Sequence, residues 1–203
     1  MIAAQRCDAW LLTEVSTKAL NDDIISYNFH MHHTFEYMTH EKYWSAILST
    51  NELSPLPDPH TASAAALIGD VVFCSSILPW ATCGSEPAQP WRGSNLEEKT
   101  KAAVEPIKRL LKNQKAVWGG DWNRNLYGGW EHVGSQAMQD AIDSVVNSLG
   151  LCVATRELPH RLDCSHTIDH IAIPKVWIVD DARRVSAIGL SDHDLYFIEV
   201  QQT

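Results

Sequence analysis

The chain has 203 residues, of which 45% are hydrophobic and 20% charged, and carries a formal net charge of −9. That length suits a single domain, residues 1–203, with a sizeable core. The acidic balance excludes a general electrostatic grip on nucleic acid, which needs clustered Lys and Arg, yet admits a phosphate substrate where a bound cation supplies positive charge.

In chain order, "CDAWLLTEV" (Cys7 to Val15) reads as a strand with Glu14 near its end. "ISYNFHMHHTFEYMTHEKY" is rich in His and aromatics without a clean period, so a loop or irregular edge is expected, followed by a strand from Trp44 to Ser49. Three prolines in "ELSPLPDPH" mark a surface connection. The apolar run Val71 to Leu78, closed by Pro79, reads as a buried strand, and "ATCGSEPAQPWRG" as a loop. Ser94 and Glu97 predict a capping box opening a helix towards Lys112. Its Leu96, Ala103, Val104, Ile107 and Leu111 follow helical spacing, and Pro106 is expected to kink or break it. A strand over Ala116 to Gly120 comes next. A second helix spans Ser135 to Leu149, with Ala137, Ala141, Val145 and Leu149 on one stripe and Gly150 as its stop. Strands are then expected over Leu151 to Thr155, Thr167 to Ile173, Val176 to Val179 and Leu195 to Val200. This order predicts a layered sheet structure with helices outside.

Cys7, Cys74, Cys83, Cys152 and Cys164 show no CxxC spacing, so neither a disulfide framework nor a zinc knuckle is expected, and a reducing cytoplasm is the default. No run reaches the length of a membrane-spanning helix. His30, His32, His33 and His40 lack a second spaced ligand pair for zinc; a mobile His-rich loop near the substrate is the expectation.

Four apolar runs have an acid at or near one end: Glu14 in "WLLTEV", Asp121 in "VWGGDWN", Asp169 in "HTIDHIAIP" and Asp192 in "GLSDHDLYFIEV". One such acid would be an ordinary turn residue. Together with Asn123 and His193 they are the inventory of phosphoryl chemistry: carboxylates for a hard divalent cation, an Asp or His to take a proton from water, an amide to orient it.

In order and wording, "LLTEV", "GGDWN", "TIDHI" and "LSDHD" resemble the Glu, Gly-Asp-x-Asn, Ile-Asp-x-Ile and Ser-Asp-His motifs of the metal-dependent endonuclease/exonuclease/phosphatase (deoxyribonuclease-like) family. The resemblance runs from residue 11 to 194. It implies an α+β fold, a four-layer α/β/β/α sandwich of two mostly antiparallel sheets with outer helices. It also implies roles: Glu14 binding Mg2+ or Mn2+, Asp192 near the metal, Asp121 activating or orienting water with Asn123, His193 binding the scissile phosphate, and Asp169 fixing His193. The activity implied is phosphodiester hydrolysis by direct water attack, first as a nuclease. The alternatives are a phosphatase on a small metabolite or lipid head group, and a catalytically silent interaction module.

Two departures from the family pattern follow. With the Glu motif already at residue 14, the family's usual first strand has no counterpart, so a shortened N-terminus and an open sheet edge prone to self-association are expected. Ile77 stands where several branches carry a second His. In the loop after Asp121, Trp122, Asn125, Tyr127 and Trp130 are candidates to contact substrate, by stacking a base or rimming the cleft; Arg92, Arg124 and His132 are expected to be solvated.

Overall fold

The computed structural model describes residues 7–16, 18, 29–83, 90–127, 135–161 and 166–203. Three groups of strands form. In sheet I, β1 (Ala9–Ser16) and β2 (His30–His33) flank β4 (Lys42–Ser49), with β3 (Tyr37–Thr39) also pairing β4. Sheet II has the order β5 (Leu53–Pro55), β6 (Ser63–Ile68), β7 (Val71–Ser76), β8 (Ala116–Asp121), β10 (Asp169–Pro174), β9 (Leu151–Val153). β11 (Ile178–Val185) and β12 (Leu195–Gln201) make a two-stranded ribbon. Every pairing is antiparallel except β7 with β8, whose connection holds the helix α1 (Leu96–Leu111). The second helix, α2 (Gln136–Ser148), lies between β8 and β9.

The apolar stripes of the two helices, Val104, Ile107 and Leu111 on α1 and Ile142 and Val146 on α2, join one core with Cys74, Trp118 and Ala172 of sheet II. The opposite face of sheet II meets sheet I and the ribbon, where Leu11, Phe73, Val117, Ile171, Ile173 and Ile198 pack together. The Ser75 hydroxyl donates to the Leu12 carbonyl at 2.8 Å across this gap. This is the α+β sandwich of two mostly antiparallel sheets that the motifs imply.

Several local expectations are corrected. The His-rich stretch forms β2 and β3, because His30–His33 completes the β4 ladder. β5 takes part of the Pro-rich connection, where Pro55 sits on an edge strand that tolerates a missing donor. β6, "SAAALI", has no counterpart in the sequence reading; its alanines lack β-branching, and its pairing with β7 through the turn at Gly69 defines it. The N-cap of α1 is Asn95, whose Oδ1 accepts from the Glu98 N–H at 2.9 Å, while Glu98 accepts from the Ser94 N–H at 2.8 Å, one residue beyond the expected box. α1 runs on through Pro106, since the buried stripe on either side of it holds the helix against sheet II. The strand expected at Val176 starts at Ile178 and continues through "DDARRV", a polar run that reads as turn until paired with β12.

Candidate active site

The ends of β8 and β10 and the start of β12 converge. In the β8–β10 ladder Asp121 stands directly opposite Asp169, so two carboxylates share one spot at the sheet end. Like charges in that position repel. His193, just before β12, answers the repulsion: its Nδ1 lies 2.9 and 3.0 Å from the two Asp169 oxygens, and its Nε2 is 3.9 Å from Asp121 Oδ2. One ligand atom from each of Asp121, Asp169 and His193 lies within 4.8 Å of the others.

The electrostatics follow from burial and pairing. Asp121 is 6% exposed; burial first, and then the charge of Asp169, push its carboxyl up to about 7, with His193 acting in the opposite sense. His193 is raised to about 9, chiefly by the Asp169 hydrogen bond, against the opposing effect of burial. The site thus couples a carboxylate that is costly to ionise with an imidazolium held in its charged form.

The two glycines before Asp121 permit close approach. Gly120 has φ of +123°, and a Cβ there would lie 2.2 Å from the Ser76 carbonyl oxygen. A Cβ on Gly119 would lie 2.6 Å from the His170 carbonyl oxygen and 2.8 Å from Leu11 Cδ1. No side chain fits where β8 is wedged between its neighbours and sheet I. Beyond it, Asn123 takes φ of +52° and closes an Asx turn, its N–H donating to Asp121 Oδ1 at 2.8 Å. The Asn123 amide nitrogen also donates to Asp121 Oδ2 at 3.1 Å and to the Leu78 carbonyl at 3.0 Å. Asn123 therefore fixes the Asp121 carboxylate through both oxygens and straps it to the segment after β7.

Glu14 and Asp192 stand outside the three-residue group. Glu14 is held at 3.1 Å by Lys42, both side chains 44% exposed, and it is near enough to raise Asp121 further. Its φ of +51° is unusual for a glutamate inside a strand, and strain of this kind gathers at functional sites. Asp192 is exposed, and its charge favours the charged form of His193.

The loop after Asp121 corrects two substrate-contact expectations. Trp122 is fully buried, its ring 4.2 Å from Trp118 and 5.2 Å from His170, and Asn125 is 4% exposed, so neither offers a free surface to substrate. Tyr127 is 44% exposed and meets His166 edge-on at 4.8 Å. Trp130 and His132 lie outside the described residues. Arg92 is exposed as expected, whereas Arg124 is fully buried, its guanidinium finding no hydrogen-bond partner among the described residues.

Other contributors had no role assigned from the sequence. Thr167 Oγ1 accepts from the Asp169 N–H at 2.9 Å, and Ser191 Oγ accepts from the His193 N–H at 3.1 Å. Buried Asp194 accepts from the Ala187 N–H at 2.9 Å and lies 3.6 Å from Arg184 Nε, closing the loop that carries His193. His160 feels both Asp169 and His193, while burial lowers its basicity.

No family model and no curated protein sequence matches the chain. Solved structures do. An AP endonuclease from Archaeoglobus fulgidus superposes with a TM-score of 0.69 at 14% identity, over 95% of this chain and 88% of that one. The endonuclease domain of TRAS1, a telomere-specific non-LTR retrotransposon, gives 0.65 at 15%, over 98% and 90%. A mannosyl-6-phosphatase from Bacteroides thetaiotaomicron gives 0.64 at 14%, over 100% and 88%. The chain therefore shares the fold of these endonuclease/exonuclease/phosphatase, or deoxyribonuclease-like, structures.

Proposed function

We propose that the chain is a divalent-metal-dependent phosphodiesterase, acting first as a nuclease that hydrolyses P–O bonds by direct water attack. The observation that carries this reading is the convergence of Asp121, Asp169 and His193 to within 4.8 Å. The donor set fits a hard cation: two facing carboxylates, one of them buried and costly to ionise, are an environment that a divalent ion relieves. Glu14 and Asp192 are the residues we assign to holding Mg2+ or Mn2+. When bound, the ion supplies charge neutralisation at the phosphoryl oxygens.

The remaining work falls to the chain. Asp121, whose burial and Asp169 neighbour raise its affinity for a proton, is the group placed to take one from water, and Asn123 holds it in position. His193, kept protonated by Asp169, donates to a phosphoryl oxygen as negative charge develops there. Asp169 acts through His193, as a positioning residue. The deoxyribonuclease-like neighbours include a phosphatase, and the net charge of −9 favours a second reading, a small phosphorylated metabolite or lipid head group as substrate.

The partner on the leading reading is nucleic acid. A second copy of the chain is also proposed, because β1 and β12 each have one neighbour strand among the described residues. No helix among the described residues is long and apolar enough to cross a membrane. Cys7, Cys74, Cys83 and Cys152 are unpaired thiols, which supports a reducing cytoplasm as the location.

Cleavage of single-stranded and plasmid DNA in Mg2+ tests the reading, with loss on chelation and a fall of roughly 100-fold or more in Asp121→Asn. Turnover of small phosphomonoesters with no polynucleotide cleavage would select the second reading. Absence of Mg2+ or Mn2+ binding in calorimetry of the folded protein would leave a silent interaction module.

A further inference from the structure

Large apolar side chains stand in water on two segments of the surface. Phe35, on the β2–β3 connection, is 90% exposed and Tyr37, the first residue of β3, 54%; Ile188 and Leu190 are exposed on the loop leading to His193. Phe35 stands out because its turn is pinned. Thr34 is fully buried, its N–H donating to the Ser45 carbonyl at 2.9 Å and its hydroxyl to the Glu36 carbonyl at 3.1 Å. The Phe35 N–H donates to Asp58 Oδ2 at 3.0 Å, and Asp58 Oδ1 is 3.0 Å from His32 Nε2. A phenyl ring is thereby held out in water on a fixed support.

Beside it runs a column of parallel rings. His33 stacks on Tyr43 with centroids 3.7 Å apart, and Tyr43 on Tyr37 at 4.7 Å, both at 20° between planes. The hydroxyls of Tyr37 and Tyr43 lie 3.3 Å apart. In sequence and sheet the column lies close to Glu14: Tyr43 is paired with Val15, and its chain neighbour Lys42 holds Glu14.

Flat rings in register, ending on a half-exposed tyrosine with a pinned phenylalanine nearby, offer π faces of the kind that bases stack on. Aliphatic chains gain nothing from coplanarity. A chain with a net charge of −9 gains little from phosphate attraction, so affinity for a nucleic acid has to come from the bases, whose faces are free only when unpaired. We infer that Phe35 and the His33–Tyr43–Tyr37 column form a nucleobase-stacking subsite that holds an unpaired nucleotide of a single strand beside the phosphoester site. This deepens the phosphodiesterase reading and rests on it for its catalytic meaning.

Fluorescence anisotropy in chelator, with a labelled short single-stranded oligodeoxynucleotide and an abasic strand of equal length and charge, separates stacking from backbone binding. The base-bearing strand should bind about ten-fold or more tighter. Phe35→Ala and Tyr37→Ala should each weaken it roughly 5- to 100-fold and leave the abasic strand unchanged. Phe35→Trp should keep the affinity and Phe35→Leu should not. Equal binding of the two strands overturns the subsite, as does wild-type affinity in Phe35→Leu. Phe35-dependent binding to phosphatidylcholine vesicles without oligonucleotide binding also overturns it and assigns the rim to lipid. Hydrolysis of the abasic strand in Mg2+ is read separately. If it is absent while base-dependent binding persists, the hydrolase reading fails and the subsite stands.

Discussion

His193 and Asp121 give the site a pH signature whose sign is fixed by the direction of each shift. The His193 imidazolium is stabilised in the folded state, about 9 against an ordinary 6.5. Its contribution is fully present below pH 6.5 and lost as pH rises through about 9. Asp121 is destabilised as a carboxylate, about 7 against 3.8, so the folded state loses ground as pH rises from 3.8 through about 7. Both groups therefore make the metal-free protein less stable towards alkaline pH. Urea unfolding in chelator should show stability falling between about pH 5 and 9, by on the order of 1–3 kcal/mol. Asp121→Asn should flatten the acid half of that fall while abolishing hydrolysis. Asp169→Asn should bring the His193 imidazole back towards its ordinary value, visible in its NMR titration. Because Asp169 acts by positioning, this variant should lose rate mainly at pH 8, where an unsupported imidazole is neutral, and less at pH 6. A rate loss independent of pH would assign Asp169 another role.

At the scale of elements, β8 decides where the site can exist. Gly119 and Gly120 let it lie against β7, β10 and Leu11 at distances no side chain permits. Gly120→Ala must move the backbone of Ser76 and should cost about 3 kcal/mol or more in urea unfolding. Gly69→Ala, at φ of +61° with open space around it, should cost only about 1 kcal/mol. Similar losses at the two positions would mean that left-handed backbone strain, and not crowding, explains the glycine at 120. The position of these glycines in "GGDWN" was readable from residue types, but their reason was not, because Ser76 and Leu11 are remote in sequence. The same limit applies to β2 and β6. "HMHH" and "SAAALI" have weak intrinsic strand character, and each becomes a strand through its partner, β4 or β7. Asp121, Asp169 and His193 could be singled out in advance because "GGDWN", "TIDHI" and "LSDHD" resemble family motifs in order; the strand ends alone would have read as ordinary turns. Trp122 looked like a substrate contact because it follows Asp121, but the Asx turn at Asn123 sends Asp121 to the site and Trp122 into the core.

Taken whole, the described part of the sandwich leaves two strand edges without partners, and the cleft between them includes Asp169 and His193 among its walls. β1 has β4 as its sheet neighbour and β12 has β11, so each keeps an edge without a ladder among the described residues. Trp10 and Phe197 meet edge to face at 5.4 Å and tie the two parts together without joining their backbones. Between them lies a cleft of about 480 Å³ lined by β1, β12 and sheet II residues such as Val117 and Ile171, with Asp169 and His193 among its walls. Unpaired edges beside apolar walls favour pairing with another strand, and the strand in ready supply is that of a second copy. The isolated chain should therefore show concentration-dependent dimerisation in sedimentation velocity. Ile198→Lys, placing a charge on the cleft wall of β12, should hold it as a monomer, with circular dichroism and urea unfolding checking that the packing of Ile198 with Val117 and Ile171 is not lost. Because the cleft shares Asp169 and His193 with the catalytic site, association and catalysis should compete: specific activity should fall as protein concentration rises in wild type and stay constant in Ile198→Lys. A monomer at every concentration, with activity strictly proportional to protein, would show that the open edges are shielded in solution and play no part in assembly.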